Sequence, residues 1–318
     1  MTQEKPWKSF EDQLALLKAR GLAVDNEPAA LNYLERVGYY RLSGYWYSFR
    51  KLELTQDEEG KLRYIRHDDF IAGSHFQDAV HLYVFDKKLR LLALDALERI
   101  ELAIRVDIAH LLGELDIHAH QEPSLFHGNF TRSKRNGDQS QYQDWLDKYH
   151  GLVKRARRVP FVEHYLNKYG KLPIWVAIEI WDFGLMSKIF NGMKYDHKEQ
   201  IAKKYGAKDG NAFAGWLRGL NFIRNVSAHH SRLWNINVLE RANLPQDDEY
   251  WQQLNNSRPF FYFCLMQKLL SVMCPNSSWS NRFTELFEEF PNTESRAVSL
   301  ADFGLLEDWQ EWDLWAQK

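Results

Sequence analysis

Arg224, Asn225, His229 and His230 bring a permanent cation, an amide and two imidazoles into seven consecutive positions. Apolar residues frame them, with Trp216, Leu217, Leu220, Phe222 and Ile223 leading in and Leu233, Trp234, Ile236, Val238 and Leu239 leading out. Such a knot is either a capped helix end with exposed histidines or an active site. On a helix, Asn225 and His229 lie one turn apart and share a face. Arg224 lies roughly 140° round from His229 at ~100° per residue, and its long stem reaches over the same cleft. The guanidinium fork matches phosphate oxygens and stays charged. Imidazole gives or takes a proton near neutral pH, and the amide orients the imidazole or holds a phosphate oxygen. These are the parts for metal-free RNA cleavage. A base takes the ribose 2′-OH proton, arginine stabilises the phosphorane, and an acid protonates the leaving 5′-oxygen. Two copies of the motif facing each other across a two-fold axis would supply both base and acid, so a homodimer is expected.

The elements that must carry this motif read as helices. Ser9 caps a first helix with Asp12 three residues on, and Gly21 stops it. A second helix starts near Pro28. Leu52 to Asp69 reads as a charged hairpin or loop with its turn at Gln56–Lys61. From Phe70 to Leu111 apolar residues recur at three- and four-residue spacing, which needs one long helix or two with a kink. Glu101 and Arg105 lie one turn apart on it and can pair. Pro160 to Tyr169 is a short helix, and Ile174 to Phe190 reads as one core helix. Asn211 to Ile223 leads into the motif, and Phe260 to Met273 is apolar nearly all round, hence buried.

Other stretches offer binding groups. Residues 131–158 hold eight Lys/Arg against three Asp, a net charge of +5. Arg132, Lys134, Arg135, Lys154, Arg155, Arg157 and Arg158 in this stretch are candidate phosphate contacts, on a segment whose first half, Gly128 to Gln143, reads as a mobile loop. Val37 to Arg50 packs six aromatics and two arginines into fourteen residues. Tyr39, Tyr40 and Arg41 in it suit base stacking, though the same block also suits plain packing between the N-terminal helices and the rest. His118, His120 and His127 resemble a metal set but lack an acidic or cysteine partner at ligand spacing. The segment 276–318 is acidic, with nine Asp/Glu against three Lys/Arg. Its Trp309, Trp312 and Trp315 are expected on one face of a terminal helix that docks on the domain or a second subunit, near the basic stretch.

Bulk composition narrows the classes. With 45% hydrophobic and 14% aromatic residues, the chain of 318 residues can build a sizeable core. A net charge of −2 means that any nucleic-acid binding comes from a local patch. Cys264 and Cys274 form no CxxC pattern, so zinc and redox motifs lack support. No signal peptide and no run near the ~20 apolar residues of a membrane span is seen, so a cytoplasmic protein is expected. GxGxxG, Walker A, GxSxG and HExxH patterns do not occur, and no metal or other cofactor is expected.

Arg224-Asn225-x3-His229 in a helical chain resembles the RxxxxH motif of the HEPN superfamily of helical ribonucleases. Longer strings resemble the Abi-like family of bacterial abortive-infection proteins, of the AbiD/AbiF type. They include Val37-Gly38-Tyr39-Tyr40-Arg41-Leu42-Ser43-Gly44-Tyr45, Leu82-Tyr83-Val84-Phe85-Asp86-x2-Leu89-Arg90 and Leu97-Glu98-Arg99-Ile100-Glu101-x3-Arg105. The last runs from Arg224 through Ala228-His229-His230 to Arg232-Leu233-Trp234-Asn235, and together they cover about residues 9–275. The resemblance implies an all-α fold, a HEPN-like helical bundle with an N-terminal helical extension and a small hairpin or loop insertion. The expected division is 1–69, 70–275 and an acidic tail, 276–318. It further implies a dimeric, metal-independent RNA endonuclease in phage defence, a toxin restrained in some members by a small RNA. Arg224, Asn225 and His229 carry over as catalytic, His230 as the second histidine and Arg232 as an RNA contact, with Glu98 or Glu101 as acidic support. The alternative is a non-catalytic RNA-binding or scaffold protein using the same cleft.

Overall fold

The computed structural model describes residues 6–57, 59–133, 138–246 and 248–316. The chain is all-α apart from one hairpin. Helices α1 (Phe10–Ala19), α2 (Glu27–Arg36) and α3 (Tyr39–Trp46) come first. The hairpin β1 (Arg50–Gln56) and β2 (Leu62–Phe70) follows, and α4 spans Phe76–Leu115. Next come α5 (Gly128–Thr131), α6 (Gln141–Ala156), α7 (Pro160–Tyr169), α8 (Ile174–Ala177), α9 (Phe183–Gly192), α10 (Tyr195–Lys204) and α11 (Gly210–Ala228). Helices α12 (Glu249–Gln253), α13 (Pro259–Met273) and α14 (Trp279–Glu288) complete the set.

Local chemistry sets several boundaries as the sequence predicts. Ser9 Oγ accepts the Asp12 amide at 3.1 Å, and Gly21 adopts φ 90°, a left-handed stop open to glycine. Strands β1 and β2 are antiparallel, with an irregularity between Arg50 and Leu52. The hairpin leaves Leu54, Leu62 and Tyr64 exposed.

The long apolar periodicity resolves into one unbroken helix. With 40 residues, α4 is about 60 Å long. It is the axle of the molecule: α3, α8, α9, α11, α13 and α14 all pack against it. Its inward face carries Leu82, Leu89, Ala93, Ala96, Leu97, Ile100, Ile104, Ile108 and Leu112, each at most 1% exposed. One apolar cluster runs from Leu14 to Trp315.

Several expectations need correction. Ile174 to Phe190 is not a single helix. It breaks at Trp181 and Asp182, where the Asp182 carboxylate accepts the Leu185 amide at 2.7 Å and so starts α9 afresh. The terminal tryptophans do not ride on a helix either. Only a short 3₁₀ turn, Trp309–Glu311, forms there. Burying three indoles on different sides of one cluster outweighs helix formation: Trp315 stacks on Phe283 at 4.4 Å, and Trp312 donates to Asp248 at 2.9 Å. The acidic segment's described ion pairs reach His75, Lys88 and Asp95, none of which belongs to the basic stretch. The stretch read as a mobile loop contains the short helix α5, while Lys134 and Arg135 lie outside the described residues.

Candidate functional site

Helix α11 carries the motif on its last turn. Trp216, Leu217, Leu220 and Ile223 are buried against the core, which turns Asn221, Arg224 and Asn225 toward a cleft. The Arg224 guanidinium rests on the Asn225 side-chain oxygen at 3.3 Å. Glu101 on α4 lies within electrostatic reach of Arg224. It also pairs with Arg105, whose guanidinium bonds the Trp181 carbonyl as well. Burial pushes the Glu101 carboxyl above its ordinary range, and Arg105 and Arg224 pull it part of the way back. Glu98 is exposed. Of the two acidic candidates, only Glu101 therefore comes to the motif.

The helix ends by a device that explains the two histidines. His229 is the C-cap, and its amide donates to the Asn225 carbonyl at 3.0 Å. The His230 amide bonds the Ser227 carbonyl at 3.1 Å, and the Ser231 amide bonds the Val226 carbonyl at 2.9 Å. This pairing is a Schellman closure, whose left-handed residue is usually glycine. Here it is His230, with φ 58°. A β-carbon in that region costs about 1–2 kcal/mol. Both imidazoles are exposed, and neither stands in the cleft wall.

The strained turn is clamped from outside. Arg41 on α3 donates to the His230 carbonyl, Arg232 donates to the Gly44 carbonyl, and Arg90 on α4 reaches the Ser231 carbonyl at 3.4 Å. Beneath lies Asp86, fully buried. Its carboxylate accepts the Trp234 amide at 2.7 Å, the Leu233 amide at 3.1 Å, the Tyr45 hydroxyl at 2.7 Å and the Arg90 guanidinium. Four donors offset part of the cost of burying the charge, and burial still holds the carboxyl above its ordinary range. The aromatic block thus packs more than it offers for stacking. Tyr45, Trp46 and Phe49 are core, and Tyr39 packs edge-on against Trp46 at 5.2 Å. Tyr40 alone of the three predicted RNA contacts there stands free, with 91% of its surface exposed. Arg41 and Arg232 are engaged with backbone oxygens of this chain.

The cleft, of about 530 Å³, lies between α6, α9 and α11. Its α6 wall carries Lys148, Gly151, Leu152 and Arg155, and its α9 wall carries Gly184, Leu185 and Lys188 with the capping Asp182. Trp145 pins α6 to α9 by donating to the Leu185 carbonyl at 2.9 Å. Gly184 on α9 faces Asn221, and a β-carbon there would be in ordinary contact with the Asn221 amide oxygen, at 3.6 Å. Of the predicted basic residues, Arg155 shares the cleft with Arg224. Arg132, Lys154, Arg157 and Arg158 are exposed but do not line it. Lys188 and Asn221 were missed in the sequence, although Asn221 precedes Arg224 and Asn225 by three and four residues, which puts them on one face.

Two of the three histidines weighed as a metal set are otherwise employed. His120 is buried among Trp145, Tyr149 and Trp181, and burial lowers its pKa to about 3. His127 caps α5, with one ring nitrogen accepting the Phe130 amide and the other 3.0 Å from the Asn191 carbonyl. Among the described residues no group of three or more His, Cys, Asp or Glu is placed to hold a metal, and no helix is long and apolar enough to cross a membrane.

A family model described as "Abi-like protein" matches residues 32–235, more than half of the chain. That range takes in the Tyr45–Asp86–Arg90 network, the cleft and the whole Arg224–His230 turn. No curated protein and no solved structure matches the chain.

Proposed function

The chain belongs to the Abi-like protein family, and on that premise we propose that it is a HEPN-type, metal-independent RNA endonuclease acting as the toxin of an abortive-infection system. The observation that carries this reading is the company Arg224 keeps. A guanidinium oriented by Asn225 opens onto a cationic cleft, with two exposed imidazoles at the end of the same helix and the half-buried Glu101 behind. His229 takes the 2′-OH proton, and the 2′-oxygen bonds to phosphorus. Arg224 neutralises the phosphorane oxygens. The bond to the 5′-oxygen breaks as an acid delivers its proton, giving a 2′,3′-cyclic phosphate and a 5′-OH.

One copy presents Arg224 in the cleft and the imidazoles outside its wall, so base and acid from two copies would complete the site. An apolar strip supports a homodimer. Leu102, Val106 and Trp175 are 46%, 58% and 48% exposed on α4 and α8. Leu102 and Val106 lie one turn apart on α4, and Val106 and Trp175 line one shared groove. Restraint by a small RNA belongs to the same proposal, as does action in the cytoplasm.

Sequencing RNA ends after brief induction tests the reading. Wild type should leave cyclic-phosphate ends at defined sites, and His229→Ala and Arg224→Ala should not. Equal ends in all three would sink it. A non-catalytic RNA-binding role, which the cationic cleft alone would serve, predicts salt-sensitive binding with no new ends in any of them.

A further inference from the structure

We infer that Lys148 and Lys188 form a phosphate subsite in the cleft, which grips a backbone phosphate of single-stranded RNA beside the one presented to Arg224. The inference rests on the RNA reading of the cleft and adds a second point of attachment to it. Lys148 on α6 and Lys188 on α9 line the same cleft, and each feels the other's charge. Among the described residues neither is ion-paired with a carboxylate. Asp144 on α6 and Asp182, which also lines the cleft, act on Lys188 more weakly than Lys148 does, and Asp182 is occupied capping α9. Arg155 and Arg224 add two more cations to the same walls. Like charges brought face to face are a cost in the free protein. An anion between them removes that cost, and a phosphodiester has the charge and the paired oxygens to do so. The pKa of Lys188 is lowered, first by Lys148 and then by burial, as expected of such a pair with its anion absent.

The wall between the lysines is shaped for close approach. Gly151 sits inside α6, where glycine weakens a helix, and a β-carbon there would meet nothing within 4 Å. Packing does not require glycine at this position. Open space over bare backbone leaves room for a sugar-phosphate chain along Lys148, Gly151 and Arg155, which lie on one helix face.

The test uses the full chain carrying His229→Ala, so that bound RNA is not cut, and an unstructured RNA oligonucleotide of roughly ten nucleotides. Adding Lys148→Ala and Lys188→Ala, both at exposed positions, should weaken binding about tenfold. It should also flatten the salt dependence by about 0.7 for each phosphate that is no longer neutralised. Independently, Lys188 in the otherwise wild-type chain should react with an amine-acylating reagent faster than other exposed lysines, and the oligonucleotide should protect it. Unchanged affinity and slope in a folded double variant, or absence of protection, overturns the subsite. If wild type still makes cyclic-phosphate ends in that case, the nuclease reading survives. If binding and protection behave as expected but no cyclic-phosphate ends ever form, the subsite stands and the nuclease reading falls.

Discussion

The Asp86 carboxylate accepts the backbone amide of Trp234 at 2.7 Å, joining residues 148 positions apart. One oxygen atom thereby ties the central helix to the segment that leaves the Arg224–His230 turn. The other Asp86 oxygen takes the Tyr45 hydroxyl and Arg90, so three parts of the chain converge on one buried charge.

Replacing Asp86 with Asn keeps the volume but leaves Arg90 buried and unpaired. Breaking a buried pair in this way costs about 3–5 kcal/mol. Urea unfolding should show that loss, and amide exchange at Leu233 and Trp234 should quicken. A loss under about 1 kcal/mol, the level of a neutral hydrogen bond, would mean that the network is not the clamp described.

His230 sits where glycine is at home. Changing His230→Gly relieves the left-handed strain and should raise stability by up to about 1 kcal/mol. The same change removes an exposed imidazole next to His229, and RNA cleavage should fall. A variant both more stable and fully active would show that His230 serves only the turn.

His120 titrates near pH 6.5 when unfolded and near 3 when folded. Between those values the unfolded chain binds the extra proton, so stability rises with pH there. The contribution is full above pH 6.5 and is lost as pH falls toward 3, at a slope of up to about 1.4 kcal/mol per pH unit. Comparing His120→Phe with wild type over that range isolates it. The variant should show the shallower slope.

The exposed strip of Leu102, Val106 and Trp175 predicts an association surface. The double change Leu102→Glu and Val106→Glu should convert a dimer into monomers in sedimentation while leaving helix content by circular dichroism unchanged, since both side chains are about half exposed in the single chain. RNA cleavage should fall with dimerisation. A monomer of undiminished activity would argue against a shared site.

Much of the architecture could be read before folding was known. The periodicity from Phe76 to Leu111 required helix, the Gln56–Lys61 turn suited a hairpin or a loop, and the Arg224-x4-His229 pattern pointed to one helix end. Other features were hidden by the nature of the signal. Asp182 looked like one polar residue within a core helix, because a side-chain cap competes with helix continuation only through a hydrogen bond that spacing does not display. Trp309, Trp312 and Trp315 mimicked a helical stripe. Their three-residue spacing suits a stripe, but their energetics favour separate pockets in one aromatic cluster.

By itself the sequence determined what depends on neighbours along the chain: the caps, the apolar faces, the family match and the groups able to do acid–base and phosphate chemistry. Tertiary structure decided which of those groups meet. It drew Arg41 and Arg232 onto backbone carbonyls, turned Glu101 rather than Glu98 toward Arg224, and set Lys188 against Lys148 across a cleft. Charge in a sequence is a count, and a count carries no distance. Electrostatic interaction falls with separation and rises with burial, and only the packing of α6, α9 and α11 against one another and around α4 fixes both.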